Sequence, residues 1–187
     1  TLAPCAEKDK HLVVRNLERA EDISGAAMAA GIQWSWTTFP EFLDAVERLP
    51  KGINYAGYVG HCALRSHVMG ERAFERAASE DDLVLMEREL REAIRAGAIG
   101  FTTTRSPIHE TPDGRPVASR LATWDEIRRL VGVMGELNAG IFELAGEAVG
   151  REQPESAAFR DYHVRLRDLA VDTGRPVTFG NFSRLAA

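Results

Sequence analysis

Cysteine, clustered basic charge and long apolar runs are all scarce in this sequence. The 187 residues include two cysteines, Cys5 and Cys62, without CxxC spacing, so neither a disulfide framework nor a structural zinc finger is predicted. The net charge of -5 disfavours a nucleic-acid partner, because phosphate binding relies on clustered Lys and Arg. No apolar run approaches the roughly 20 residues of a bilayer span, which disfavours a membrane partner. The sequence therefore predicts a cytoplasmic globular protein.

Two segments carry capping-box signals at predicted helix starts. Ser79 is followed three residues later by Asp82, and Thr123 is followed at the same distance by Glu126. Apolar residues then recur at helical spacing, and in the first segment Gly97 marks the end of the helix. Amphipathic helices are therefore predicted after Ser79 and after Thr123.

Short apolar and β-branched runs separate the predicted helices and are typical of strands buried on both faces. The predicted strands are 53–59, 98–104, 141–144 and 176–179. Only a crossover element returns the chain to the same end of a sheet, so this alternation predicts right-handed βαβ units and a parallel α/β sheet.

The predicted sheet corresponds to about half of a TIM (β/α)8 barrel. A full barrel has eight strands and about 250 residues, and a small open α/β sheet is the alternative. The chain opens on Thr1 without a Met, which suggests that residues 1–187 are one single-domain piece of a longer protein. Half a barrel leaves open strand edges and an apolar face, so self-association through these edges is expected.

Local motifs between residues 2 and 104 are more specific than the strand pattern. They are Leu2-Ala3-Pro4, the Trp-x-Trp stretch from Gly31 to Leu43, the Gly-His-Cys-Ala-Leu-Arg stretch from Gly60 to Arg65 followed by Val68-Met69-Gly70, and Glu92 to Thr103. In this order they resemble segments of the metal-dependent amidohydrolase superfamily, in particular the group of D-aminoacylases and N-acyl-D-amino-acid deacylases.

The resemblance implies hydrolysis of the linear amide C–N bond of a small-molecule N-acyl-D-amino acid by a metal-activated water, with zinc as the family's metal. It places this chain at about strands 3 to 6 of the barrel, so the fragment alone is expected to be inactive and to hold no metal. The family has ligand histidines after its fifth and sixth strands, where this sequence has Ala145 and Asn181. The alternative function is a barrel with a decayed metal site that acts as a binding module.

His61 is the candidate catalytic residue, and Arg65 is a candidate substrate-binding residue. Both follow a predicted strand at its carboxyl end, where barrel enzymes place their chemistry. The Arg65 guanidinium would bind a substrate carboxylate through two parallel hydrogen bonds. Bracing of a loop through backbone hydrogen bonds is the alternative for both residues. Cys62 is expected to be a small packed residue, since neighbours on a strand point to opposite faces.

Glu143 and Arg105 are the other candidate substrate-binding residues. Glu143 lies in an apolar strand, so its carboxylate would need a partner if it were buried. Glu147 is interpreted as a solvated loop carboxylate. Arg105 and His109 belong to a Pro- and Gly-rich loop that follows a strand, and such loop residues are more often solvated than bound to a ligand. No metal-ligand set is predicted within this chain.

Overall fold

The computed structural model describes residues 1–147, 149 and 155–180, and these residues contain one parallel sheet. Its strands are β1 (Tyr58–Gly60), β2 (Gly100–Arg105), β3 (Ile141–Glu147) and β4 (Val177–Phe179), in the spatial order β1-β2-β3-β4. Every neighbouring pair is parallel. The predicted α/β class with parallel βαβ units is therefore confirmed.

The helices of the described residues precede and connect these strands. They are α1 (Lys10–Leu17), α2 (Gly25–Gly31), α3 (Phe39–Glu47), α4 (His61–Met69), α5 (Glu80–Ala96), α6 (Trp124–Glu136) and α7 (Ala157–Thr173). Short 3-10 turns lie at Glu7–Asp9, Gly70–Phe74 and Ala118–Leu121. None of the helices in the described ranges combines the length and the apolar character of a bilayer span.

Helix α5 shows how the local sequence fixes an element. The Ser79 hydroxyl accepts the N–H of Asp82, and the Asp82 carboxylate accepts the N–H of Ser79, which completes the predicted capping box. At the other end Gly97 adopts φ 114°, a left-handed conformation that favours glycine. Between these ends Met86 and Leu90 are fully buried against the core. The capping signals and the apolar stripe of this segment therefore predicted the helix correctly.

The sheet packs its apolar side chains against the helices. Phe101 of β2 and Phe142 of β3 are fully buried and stack with ring centroids 6.0 Å apart. Ile127 and Leu130 of α6 belong to the same core cluster. This side of the sheet is the hydrophobic core.

The opposite side of the sheet carries a polar row. Thr102 pairs with Glu143 across β2 and β3, and Glu143 pairs with Thr178 of β4. Successive strand residues point to opposite faces, so these side chains face away from the core that holds Phe101 and Phe142. In a closed β/α barrel that face is the interior.

The largest differences from the sequence prediction lie around the first strand. The predicted strand at 53–59 forms regular structure only from Tyr58, and helix α4 begins at His61 immediately after β1. No side chain caps α4, so the apolar run through Gly60 gave no signal of the change from strand to helix. His61 therefore opens a helix and does not lie in a loop.

Candidate functional site

A cavity of about 240 Å³ lies at the carboxyl ends of β1, β2 and β3. This is the edge of a parallel sheet where barrel enzymes place their reacting groups. Its polar lining includes Thr102, Thr104, His109, Ser119 and Glu143, with Ala145 beside them. The cavity is the candidate active site.

Glu143 contributes the carboxylate of this cavity. Thr102 donates a hydrogen bond of 2.9 Å to Glu143 Oε1, which supplies the partner that the sequence analysis required. Burial and the negative charge of Glu143 both raise the pKa of the neighbouring Tyr58 phenol, so Tyr58 stays protonated beside the carboxylate. The predicted substrate-binding role of Glu143 stays a prediction, and the structure places the residue in the cavity.

Thr104 and His109 form a hydroxyl–imidazole pair on the cavity wall. Thr104 Oγ1 lies 2.8 Å from His109 Nδ1, and the backbone N–H of Ser106 donates to the same oxygen over 3.2 Å. His109 is half-buried and its ring is hydrogen-bonded, so it is less free than the solvated loop residue that was expected. The Pro- and Gly-rich composition of the loop gave no indication that His109 would face the cavity. The only sequence feature that indicated this contact was the position of Thr104 at the end of a strand.

The loop that carries His109 is folded back on the sheet. The His109 carbonyl accepts hydrogen bonds from the backbone N–H of Val117 over 3.4 Å and from Arg120 Nη1 over 3.1 Å. Glu110 and Pro116 form an isolated antiparallel bridge, and Thr111 is fully buried. His109 is therefore held by its backbone as well as by its ring.

His61 also belongs to the lining of this cavity, but both of its ring nitrogens are hydrogen-bonded to protein groups. Its Nδ1 is 2.8 Å from Thr103 Oγ1 and its Nε2 is 2.8 Å from Glu126 Oε1. Burial lowers the pKa of His61, so the ring is neutral, and the Glu126 carboxylate accepts a hydrogen bond from Nε2–H. Nδ1 accepts from the Thr103 hydroxyl. Both ring nitrogens are thus occupied in a side chain that is 1% exposed.

Arg65 shares the Glu126 carboxylate with His61. Arg65 Nη1 lies 2.6 Å from Oε1 and 2.5 Å from Oε2 of Glu126, and Nη2 donates to the Arg76 carbonyl over 2.7 Å. Burial opposes ionisation of Glu126, but the hydrogen bonds from His61 and Arg65 and the positive charge of Arg65 outweigh it and hold its pKa below the ordinary value. Arg65 is fully buried outside the cavity, a placement that favours the bracing alternative over its predicted substrate role.

Glu126 was predicted as a helix-capping residue and not as a member of this cluster. Its backbone N–H donates to Thr123 Oγ1 over 3.1 Å, which is the predicted helix cap. Its side chain does not close the capping box and pairs instead with His61 and Arg65. A capping signal and a long-range ion pair have the same local sequence, so local patterns do not separate them.

Arg105 and Glu147 form an ion pair at the ends of β2 and β3. Arg105 Nε lies 2.9 Å from Glu147 Oε1, and Arg105 Nη1 donates to the Ala122 carbonyl over 2.6 Å. Glu147 is the last residue of β3 and its side chain is 13% exposed, so its interpretation as a solvated loop residue was wrong. The substrate-binding role of Arg105 stays a prediction, and its guanidinium would have to leave Glu147 to fulfil it.

Cys62 donates a 3.2 Å hydrogen bond to Ser119 Oγ and packs beside the core. Burial raises the pKa of the Cys62 thiol, which keeps it protonated. The expected packed role fits these contacts, but the argument from strand alternation was wrong because Cys62 lies in helix α4.

The donor groups of the cavity do not fit a metal centre. Within residues 1–147, 149 and 155–180 no three His, Cys, Asp or Glu side chains cluster closely enough to hold a metal ion. Ala145 presents a methyl group where the family resemblance implies a histidine. Asn181, the other such position, lies outside the described residues. No chemical step is therefore assigned to a metal here.

Similar sequences include deacylases. No protein-family model matches the chain. An uncharacterised protein of Mycobacterium tuberculosis is 34% identical over 108 residues, which are 54% of this chain and 18% of that protein. D-aminoacylase of Alcaligenes xylosoxydans xylosoxydans is 36% identical over 73 residues, 39% of this chain and 15% of the enzyme. The chain thus spans less than a fifth of the length of these two relatives.

Solved structures with this fold point the same way. A crystal structure of D-aminoacylase matches 77% of this chain and 27% of its own, with a TM-score of 0.58 and 21% identity. N-acyl-D-glutamate deacylase from Bordetella bronchiseptica was solved with zinc and a phosphonate mimic of the tetrahedral intermediate. It matches 81% of this chain and 28% of its own, with a TM-score of 0.57 and 21% identity. The resemblance carried by the motifs is confirmed: in sequence and in fold, this chain is similar to part of the D-aminoacylase and N-acyl-D-amino-acid deacylase group of TIM-barrel amidohydrolases.

Proposed function

We propose that the protein hydrolyses the linear amide bond of a small N-acyl-D-amino acid. The observation that carries this proposal is the polar cavity at the carboxyl ends of β1, β2 and β3, in a chain whose sequence matches deacylases. Parallel barrels bind and transform their substrates at this edge. The relatives are several times longer than this chain, so the remaining wall of the site is proposed to come from sequence outside it, and these 187 residues alone are proposed to be inactive.

Glu143 orients the substrate in this proposal. Its carboxylate accepts a hydrogen bond from Thr102 and offers its other lone pairs to the amide N–H of a bound ligand. A carboxylate in the same position repels the carboxylate of an N-acyl amino acid, so the substrate is proposed to bind with its amide towards β3 and its carboxylate away from it. Arg105 is kept as the candidate partner of that carboxylate.

His61 and Arg65 hold the residues around the site in position in this proposal. Their hydrogen bonds with Thr103 and Glu126 join α4, β2 and α6 on the core side of the sheet. Neutral His61 has no free ring nitrogen for a substrate, so we assign it a positioning role and not a chemical one.

A binding module without hydrolytic chemistry is the second candidate function. The specific observation in its favour is the absence of a metal-donor cluster from the described residues, together with Ala145 at a position where the family resemblance implies a ligand. Zinc is bound in the deacylase from Bordetella bronchiseptica. Zinc content therefore separates the two candidates.

The test uses the complete protein that contains this chain. N-acetyl-D-amino acids are offered with their L enantiomers as controls, released amino acid is measured by chromatography, and metal content is measured by mass spectrometry. Hydrolysis of the D substrates, reduced in Glu143→Gln, supports the deacylase. Binding of the same compounds by calorimetry without turnover or metal supports the binding module. Neither binding nor hydrolysis contradicts both functions.

A further inference from the structure

The wall of the candidate site contains one imidazole whose environment suits proton transfer. Thr104 and His109 both line the cavity, and Thr104 lies at the point where the register of β2 against β3 shifts between Thr103 and Arg105. Such irregularities re-aim side chains and are frequent beside active sites. Thr104 and Thr102 stand two residues apart on β2, and both contribute to the cavity wall.

The hydrogen bonds of the pair leave one ring nitrogen available. His109 Nδ1 is held by Thr104 Oγ1 at 2.8 Å. The Nε2 atom makes no hydrogen bond to any residue in the described part of the chain. His61 differs, since both of its nitrogens are bound and its side chain is buried. Of the two histidines that line this cavity, His109 is the one with a nitrogen free to meet a ligand.

The orientation of the ring follows from the chemistry of the Thr104 hydroxyl. Its oxygen has two lone pairs, of which one accepts the Ser106 N–H. The second is free to accept Nδ1–H of His109, and the role proposed below uses this tautomer, in which Nε2 is the basic atom. A base held at its far nitrogen by an oxygen acceptor is the arrangement that orients a catalytic histidine.

We propose that His109, oriented by Thr104, is the proton-transfer residue of the amide hydrolysis proposed above; this inference rests on that function. Nε2 takes a proton from the attacking water as the oxygen bonds to the acyl carbon, which leaves His109 as an imidazolium. The same proton then passes to the amide nitrogen as the C–N bond breaks. Water and amide are converted to carboxylic acid and amine, and the imidazole returns to its starting state. Thr104 is a positioning residue.

The experiment compares variants of the complete protein with an N-acetyl-D-amino acid as substrate. His109→Ala is expected to lower kcat by about 100-fold or more while KM changes by a few-fold at most. Added imidazole is expected to restore part of kcat, since it replaces a missing base and not a missing fold. Thr104→Val is expected to lower kcat about 10-fold, and Thr104→Ser to recover most of it.

His11→Ala is the matched control, because it removes an exposed imidazole from α1, outside the cavity. It is expected to keep wild-type kcat. Wild-type kcat in His109→Ala, or a loss that imidazole does not restore, would overturn the inference while leaving the deacylase proposal intact. If His109→Ala does not fold, an unchanged kcat in Thr104→Val overturns the assignment in its place, and a reduced kcat that Thr104→Ser recovers supports it. An inactive wild-type protein overturns the proposed function and this inference together.

Discussion

Glu126 Oε1 lies 2.8 Å from His61 Nε2, although 65 residues separate them in the sequence. The same carboxylate binds Arg65, so the first turn of α6 is joined to α4 through a buried group of one anion, one cation and one neutral ring. Thr103 extends this group to β2. Because this charge pair is buried, replacing its carboxylate tests how much it stabilises the fold.

Glu126→Ala is expected to destabilise the chain by about 3–5 kcal/mol, because it leaves the Arg65 guanidinium buried without a counter-charge. The free energy of unfolding is measured by urea denaturation. Glu136→Ala is the matched control, since Glu136 pairs with Arg91 at 2.6 Å on the surface. Loss of that exposed pair is expected to cost less than about 1 kcal/mol. Equal costs for the two variants would contradict the assignment of a buried ion pair.

His61 is expected to make the stability fall as the pH drops. Burial lowers its pKa in the folded chain below the ordinary value of 6.5. Below pH 6.5 the unfolded chain therefore binds a proton that the folded chain does not, and the folded state loses stability as the pH falls towards the lowered pKa.

The measurement is the free energy of unfolding at pH values from 7.5 to 5.5 for the wild type and for His61→Gln. The wild type is expected to lose more stability over this range than the variant. His67, whose pKa burial also lowers, is present in both proteins, so the difference between them reports His61. Parallel curves would show that His61 does not carry the effect.

Gly100→Ala is expected to destabilise the chain by about 1–3 kcal/mol or more. Gly100 lies in β2, and a methyl group there would overlap the Ile141 carbonyl oxygen of β3. Gly132→Ala is the matched control, because no atom lies within 4 Å of the added methyl in α6. This control is expected to stabilise the helix by about 0.5–1 kcal/mol. Thermal unfolding of both variants tests the pair, and a neutral Gly100→Ala would contradict the close approach of the two strands.

Self-association through the open barrel edges is a further proposal, tested by sedimentation velocity on this chain. Strands β1 and β4 are the outer strands of the described sheet, and Thr178 of β4 is exposed on the polar face. A lysine on this face opposes pairing of sheets, so Thr178→Lys is expected to shift the chain towards monomer. Val171→Lys, on the exposed side of α7, is expected to leave the distribution unchanged. A monodisperse wild-type monomer would contradict the proposal.

The sequence predicted those parts of the fold whose causes are local. Helix α5 followed from Ser79 and Asp82, which act within its first turn, and from Gly97, which acts at its C-terminal end. Helix α4 escaped prediction because no side chain caps its start after the strand that ends at Gly60.

The site was predictable only in part for the same reason. Glu143 was found because a carboxylate in an apolar strand is unusual. His109 was missed because its ring contact with Thr104 depends on a loop that folds back on the sheet and on a register shift in β2. The partner of His61 was missed because Glu126 is distant in sequence and resembles a helix cap.

The alternation of β2 and β3 between core and cavity has a consequence for the tolerance of these strands to substitution. On β2 Phe101 is buried in the core, Thr102 and Thr104 line the cavity, and Thr103 both bonds to His61 and contributes to the cavity lining. Substitutions in a saturation scan along this strand are therefore expected to lower protein abundance most at Phe101 and ligand binding most at Thr102 and Thr104. Substitutions at the core position of such a strand would be constrained by folding and those at the cavity positions by the ligand, so the two kinds of position could change at different rates.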